Sequence, residues 1–149
     1  MATGTFDLLH MGHIYFLKKA KELGDKLIIV VARDSTVRHL KHEPVTHEDV
    51  RLGLIKELRI VDEAYLGSEN DMYAIVDKIQ PDIIAIGFDQ VHNEEKLQKE
   101  LEKRGHKNIK IHRLSKYEGG SDLNGTRRII QKIISAYTFQ KEMERIEGP

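Results

Sequence analysis

The sequence predicts an α/β domain in which a parallel sheet of about five strands carries helices on both faces. Three observations lead there. Short continuous runs of β-branched residues read as buried strands, segments of helical period alternate with them, and 149 residues suit one domain with its own core.

Only Met1-Ala2-Thr3 precede the first glycine, Gly4, which is short for a first strand and reads as a strand met part-way along. Phe16, Leu17, Ala20 and Leu23 then recur at helical spacing. Residues 26–32 (Lys-Leu-Ile-Ile-Val-Val-Ala) are an unbroken apolar run, the pattern of a central strand buried on both faces. Val50, Leu54, Ile55 and Leu58 mark the next helix, and Ala64-Tyr65-Leu66 is a weaker strand candidate. Residues 72–79 read as a short helix that stops before Gln80-Pro81, because proline disfavours helical geometry in the residue before it. Residues 82–86 repeat the buried-strand pattern, 94–103 read as a helix, and 109–114 alternate in the way expected of a sheet edge. The last element is a helix from about 124 to 143 whose stripe of Ile129, Ile130, Ile133, Ile134 and Tyr137 is expected to dock on the domain. With no repeat, low-complexity tract or Pro/Gly linker, residues 1–149 are read as a single domain.

Composition narrows the function classes. The 24 basic and 24 acidic residues balance, so nothing predicts a broad electrostatic footprint for nucleic acid or an anionic membrane, and a small-molecule substrate is expected. The absence of cysteine excludes a disulfide framework, a Cys-based zinc site and a thiol nucleophile, and fits a cytoplasmic location. No apolar run approaches the roughly 20 residues needed to span a bilayer, and the N-terminus lacks a basic flank followed by an apolar signal core.

The chemistry concentrates in Gly4-Thr5-Phe6-Asp7-Leu8-Leu9-His10-Met11-Gly12-His13. This string runs from the end of the first strand into the first helix, where unpaired backbone N–H groups and the helix dipole favour an anion and glycine permits close approach of a phosphate. His10 and His13, three residues apart, can converge on one phosphate group. Taken alone, two histidines at a helix start are more often surface residues or caps. They are not spaced i, i+4 with an accompanying glutamate, as in metalloprotease motifs, so no protein metal site is assigned.

The complete string resembles the signature of the HxGH nucleotidyltransferase superfamily, which includes glycerol-3-phosphate and phosphocholine cytidylyltransferases, pantetheine-phosphate adenylyltransferase and FAD synthases. The resemblance implies a Rossmann-like sheet, a nucleoside triphosphate bound with a divalent metal, Mg2+, and paired histidines holding the triphosphate around the reacting phosphorus. Within the superfamily the chain is similar to the archaeal-type FAD synthases. That likeness runs through Leu23-Gly24-Asp25, Val30-Val31-Ala32-Arg33-Asp34, Pro81-Asp82-Ile83-Ile84, Ile86-Gly87-Phe88-Asp89-Gln90 and Ser115-Lys116-Tyr117. It implies transfer of AMP from ATP to the phosphate of FMN with release of pyrophosphate. His10 and His13 would be the catalytic pair; Thr5, Phe6, His10, Met11, Gly12, His13, Asp89 and Tyr117 would form the ATP site. Asp89 also has its own argument: a carboxylate just past a strand end can accept from a ribose hydroxyl or help hold magnesium.

Further candidates are weaker. Arg51 matches in position an arginine that cytidylyltransferases use near substrate, although a solvated helix arginine has the same appearance. Lys41 is a candidate for the acceptor's phosphate, against the plainer reading of an exposed charge run. Near the last helix, Asn124-Gly125-Thr126 stands where the superfamily carries a Ser-Ser-Thr type pattern, and Thr126, Arg127 or Arg128 are candidates to cap the helix or reach a phosphate.

Two alternatives accompany FMN adenylyl transfer. One is a cytidylyltransferase acting on glycerol 3-phosphate or a similar phosphorylated alcohol, although the Arg-Thr-Glu-Gly-Ile-Ser-Thr-Thr stretch typical of those enzymes is absent. The other is a non-catalytic nucleotide-binding protein, against which the intact histidines argue. The resemblance also raises a homodimer as an expectation, without locating its interface.

Overall fold

The computed structural model describes residues 1–40, 43–90, 93–119 and 123–147. Its elements run β1 (Ala2–Gly4), α1 (Met11–Lys21), β2 (Ile28–Val31), α2 (Asp34–Leu40), α3 (Glu48–Lys56), β3 (Glu63–Leu66), α4 (Ala74–Ile79), β4 (Ile83–Ile86), α5 (Glu94–Lys103), β5 (Lys110–Arg113) and α6 (Thr126–Glu147). The strands form one parallel sheet in the order β3-β2-β1-β4-β5. This is the parallel α/β architecture expected from the alternation of apolar runs, and the Rossmann-like sheet of about five strands that the resemblance implies.

Two apolar clusters hold the layers. One gathers Ala2, Phe6, Leu17, Ala20, Ile29, Val31 and Ile55 around β1 and β2; the other gathers Val76, Ile84, Ile86, Leu97, Leu101 and Ile109 around β4. Ile29, Val30 and Val31 are all buried, which explains the unbroken apolar run of β2, whereas β5 at the edge alternates exposed and half-buried residues. The weak candidate at 64–66 is the edge strand β3, paired Ile29↔Ala64 and Val30↔Tyr65. Gln80 closes α4 in the left-handed region at φ 49°, one residue before Pro81.

One element was not predicted, and one expectation needs correction. The stretch after β2 contains a helix, α2, that has no periodic apolar face; Val37 is its buried contact. The terminal helix docks only at its start: Ile129 and Ile130 are half buried, but every residue from 131 to 145 is exposed, Ile133, Ile134 and Tyr137 of the apolar stripe included. No helix among the described residues is long and apolar enough to cross a membrane.

Strand order reverses between β1 and β4. In open parallel sheets ligands bind in the crevice at such a switch point, beyond the carboxyl ends of the strands. The loop opened by Thr5 leaves β1 there, and Asp89 follows β4 on the other side.

Candidate active site

The loop from β1 to α1 has an uncommon backbone. Phe6 (φ 55°) and Leu8 (φ 48°) occupy the left-handed region, which costs a residue with a Cβ about 1–2 kcal/mol. Long-range hydrogen bonds hold it in that shape. Arg51 Nη1 donates to the Thr5 carbonyl at 2.6 Å, while the Asp7 carboxylate accepts from Val45 N (2.7 Å), Thr46 N (3.0 Å) and Thr46 Oγ1 (2.7 Å). Thr126 Oγ1 donates to the Asp7 carbonyl at 2.6 Å, tying the start of α6 to the same loop. These tethers come from three separate stretches of chain, so the loop is pre-shaped before any ligand arrives.

α1 then opens with His10 as its N-cap residue, no side-chain cap and no acidic residue in the first turn, an arrangement suited to an anion. The imidazoles of His10 and His13 stack with centroids 3.8 Å apart and planes 21° apart, and the Phe6 ring meets His13 edge-on at 5.4 Å. The two histidines that sequence spacing brought together are therefore one unit, backed by an aromatic ring. His10 Nδ1 is buried without a hydrogen-bond partner. Placing the proton on Nε2 avoids burying an unpaired N–H and leaves that nitrogen to meet a ligand.

Burial pushes the His10 pKa below its ordinary value of 6.5, so the imidazole is neutral at pH 7. A triphosphate placed against it favours the charged form and raises that pKa. Nucleotide binding therefore takes up a proton, and affinity rises as pH falls from about 8 toward the depressed pKa of the free protein. Calorimetry in two buffers of different ionisation enthalpy measures this uptake; an uptake equal in a His10→Ala variant contradicts the assignment.

Gly12 is required by contact. A Cβ at this position would lie 2.7 Å from the Asn124 carbonyl oxygen, so the chain entering α6 crosses directly over the start of α1. Gly12→Ala should push these segments apart, cost about 1–3 kcal/mol and raise the KM for the nucleotide, as thermal melts and initial rates would record. Unchanged melting and KM would show that the crossing is unimportant.

The opposite wall is braced in the same manner. Gln90 Nε2 donates to the Thr3 carbonyl at 2.7 Å across the switch point, and Arg113 Nη1 donates to the carbonyls of Gly87 (2.9 Å) and Gln90 (3.1 Å). Asp89 is thus exposed at the end of β4 in a fixed loop. Beside α1, the Tyr117 ring lies 5.1 Å from that of Tyr15, and Tyr15 Oη lies 3.1 Å from Ser115 Oγ. Gly119 runs so close under Tyr117 that a Cβ would overlap its ring. Tyr15, Ser115, Lys116, Tyr117, Glu118 and Gly119 line a cavity of about 450 Å³.

The other candidates fall in different places. Phe6 is buried, so its side chain builds the floor, and the Thr5 carbonyl is taken by Arg51; Met11 is half exposed. Arg51 is neither solvated nor open to a substrate: it is 0% exposed, with Nε on the Thr46 carbonyl (3.0 Å) and Nη2 on Asp34 Oδ1 (2.6 Å) besides Nη1 on Thr5. Burial pushes the Asp34 carboxyl up, but hydrogen bonds from Arg51 and His47 outweigh it and hold the group below its usual range. Thr126 spends its hydroxyl on Asp7, while Arg127 is exposed one residue into α6. Lys41 lies outside the described residues.

Sequence reasoning missed Asp7, Asp34, Tyr15, Gln90 and Arg113 as parts of the site. Asp7, Asp34 and Gln90 stand inside the quoted strings and were available to be singled out; Tyr15 and Arg113 carry no local signal.

Among the described residues no three His, Asp or Glu side chains converge as a metal cage. Magnesium instead keeps waters and takes one or two carboxylates together with phosphate oxygens. An exposed carboxylate such as Asp89, beyond the end of β4 at the switch point, suits a metal that arrives with its nucleotide.

A switch-point crevice with a pre-shaped anion loop and a stacked histidine pair is a nucleotidyltransferase site. A cytidylyltransferase-like family model matches residues 1–146, and the chain belongs to that family. Its relatives include the FAD synthase of Aciduliprofundum boonei, 54% identical over 134 residues that cover 90% of this chain and 89% of the relative. The FAD synthase of Methanothermus fervidus is also 54% identical, covering 89% and 92% of the two chains. A crystal structure described as the lipopolysaccharide core biosynthesis protein from Thermoplasma volcanium GSS1 superposes with a TM-score of 0.77 at 52% identity, covering 79% of this chain and 96% of that one.

Proposed function

We propose that this protein is an FMN adenylyltransferase that uses ATP and FMN in the cytoplasm and forms FAD and pyrophosphate. Its likeness to FAD synthases along nine-tenths of its length carries the reading of nucleotide and acceptor. The geometry of the loop accounts for the chemistry.

An oxygen of the FMN phosphate attacks the α-phosphorus of ATP, the bond from that phosphorus to the α,β-bridging oxygen breaks, and pyrophosphate leaves with the bond electrons. No covalent enzyme intermediate is needed. Catalysis rests on holding the two phosphates in line and on fixed donors aimed at the oxygens that gain charge. His10 and His13 are those donors, supported from behind by Phe6 and held at the helix start by Gly12. Met11 and Gly12 contribute first-turn backbone N–H groups, and Arg127, exposed one residue into α6, is the candidate guanidinium for the leaving phosphates. Asp89 accepts from the ribose or holds magnesium, and Tyr117 with Tyr15 walls the base. Magnesium, when bound with the triphosphate, neutralises phosphate charge. Thr126 acts through Asp7 rather than on the nucleotide, and Lys41 is retained as a candidate for the acceptor phosphate.

Pyrophosphate release measured with ATP or CTP, each paired with FMN or glycerol 3-phosphate, tests the reading. Release is expected with ATP and FMN. Preference for CTP with glycerol 3-phosphate would make the protein a cytidylyltransferase, and no release under any pairing would make it a binding protein without this chemistry.

A further inference from the structure

The reaction proposed above joins two nucleotides, and each brings a flat ring. The adenine meets Tyr117 and Tyr15; the isoalloxazine of FMN needs a surface of its own. Beyond the end of β4 stands a second aromatic side chain open to solvent, Phe88, which is 48% exposed. The other rings of the domain are occupied: Phe6 and Phe16 pack in the core, and Tyr65 and Tyr73 are part-buried beneath Lys78 and Arg104.

A single exposed aromatic needs no explanation by itself. Phe88 differs in how it is held. Gly87 N donates to Gln90 Oε1 at 3.2 Å, and Arg113 Nη1 donates to the carbonyls of Gly87 and Gln90, so the backbone is fixed on both sides of the ring. A ring held in place in advance loses little freedom when another ring stacks on it. Its neighbour supplies charge. Ser115 and Tyr117 turn to Tyr15 on α1, whereas Lys116 between them turns to Phe88, its Nζ 5.7 Å from the ring centroid. Lys116 is exposed and makes no ion pair among the described residues. The loops that present Asp89 and Tyr117 thus also present a ring and a cation.

We propose that Phe88 and Lys116 form the flavin subsite: the isoalloxazine stacks on Phe88, and the Lys116 ammonium donates to the carbonyl edge of its pyrimidine ring. An electron-poor fused ring suits an aromatic face, and its carbonyl oxygens suit an ammonium. The assignment rests on the FMN adenylyltransferase reading and accounts for acceptor choice. Glycerol 3-phosphate brings a phosphate but no ring, and gains nothing from Phe88.

Phe88 lies outside both core clusters, so its variants should melt as the wild type does. Phe88→Ala should raise the KM for FMN about tenfold, as loss of one stacking partner does, and leave the KM for ATP unchanged. Lys116→Gln should give a smaller rise in the same constant. The chain has no tryptophan, so Phe88→Trp places a single reporter in the subsite. FMN should quench its emission, and ATP alone should not. If the wild type releases pyrophosphate from ATP and FMN, an unchanged KM for FMN in Phe88→Ala, a rise in the KM for ATP in its place, or Phe88→Trp emission indifferent to FMN would each overturn the subsite and leave the reaction standing. No release by the wild type would overturn both.

Discussion

Replacing His10 or His13 by alanine should lower kcat for pyrophosphate release roughly a hundred- to a thousand-fold each, the range found when one preorganised donor is removed from a charge-stabilising site. The fold should survive, since both side chains are only half buried and neither builds the core clusters. The rings stack 3.8 Å apart and in the proposed mechanism serve the same phosphate, so the double variant should lose much less than the product of the single losses. Single-turnover rates of the three variants, with melting curves beside them, check the prediction. Wild-type turnover in either single variant removes that histidine from the mechanism.

The second large effect belongs to Arg51. Arg51→Ala leaves Asp34 as a buried carboxylate without its guanidinium and strips the donors from the Thr5 and Thr46 carbonyls. Breaking a buried pair in this way costs about 3–5 kcal/mol, enough to lower Tm by about 10 °C in a chain of this size. Arg51→Lys retains a charge for Asp34 but cannot reach three acceptors, and should fold with a smaller loss of about 1–3 kcal/mol. Its kinetics separate a clamp from a substrate contact. As a positioning residue acting through Thr5, Arg51 shapes the whole anion loop, so Arg51→Lys should lower kcat and raise the KM for ATP together. A rise confined to the KM for FMN would instead mark Arg51 as a direct contact of the acceptor.

That difference shows where sequence reading stops. The central strands were legible because burial on both faces imposes an unbroken apolar run, as in Ile28-Ile29-Val30-Val31 and Ile83-Ile84-Ala85-Ile86. The anion loop was legible because its glycines and histidines sit within ten residues of one another. Arg51 was not, since its partners Asp34 and Thr5 lie 17 and 46 positions away and nothing local separates a buried arginine from a solvated one. Asp7 belongs to the motif, yet its role comes from Val45 and Thr46 beyond the next two helices. α2 escaped because seven residues with one buried valine carry no period. In α6 the period was plain and its partner was not: an apolar stripe states that something covers it, and the described domain does not.

The acceptor is the part of the account most exposed to test. Incubating the protein with ATP, magnesium and FMN whose three terminal phosphate oxygens carry 18O, and weighing the products by mass spectrometry, tests it directly. The proposed attack at the α-phosphorus keeps all three labelled oxygens in FAD, in equal amount to an unlabelled pyrophosphate. Label in the pyrophosphate, or pyrophosphate released without a flavin adenine product, would contradict it.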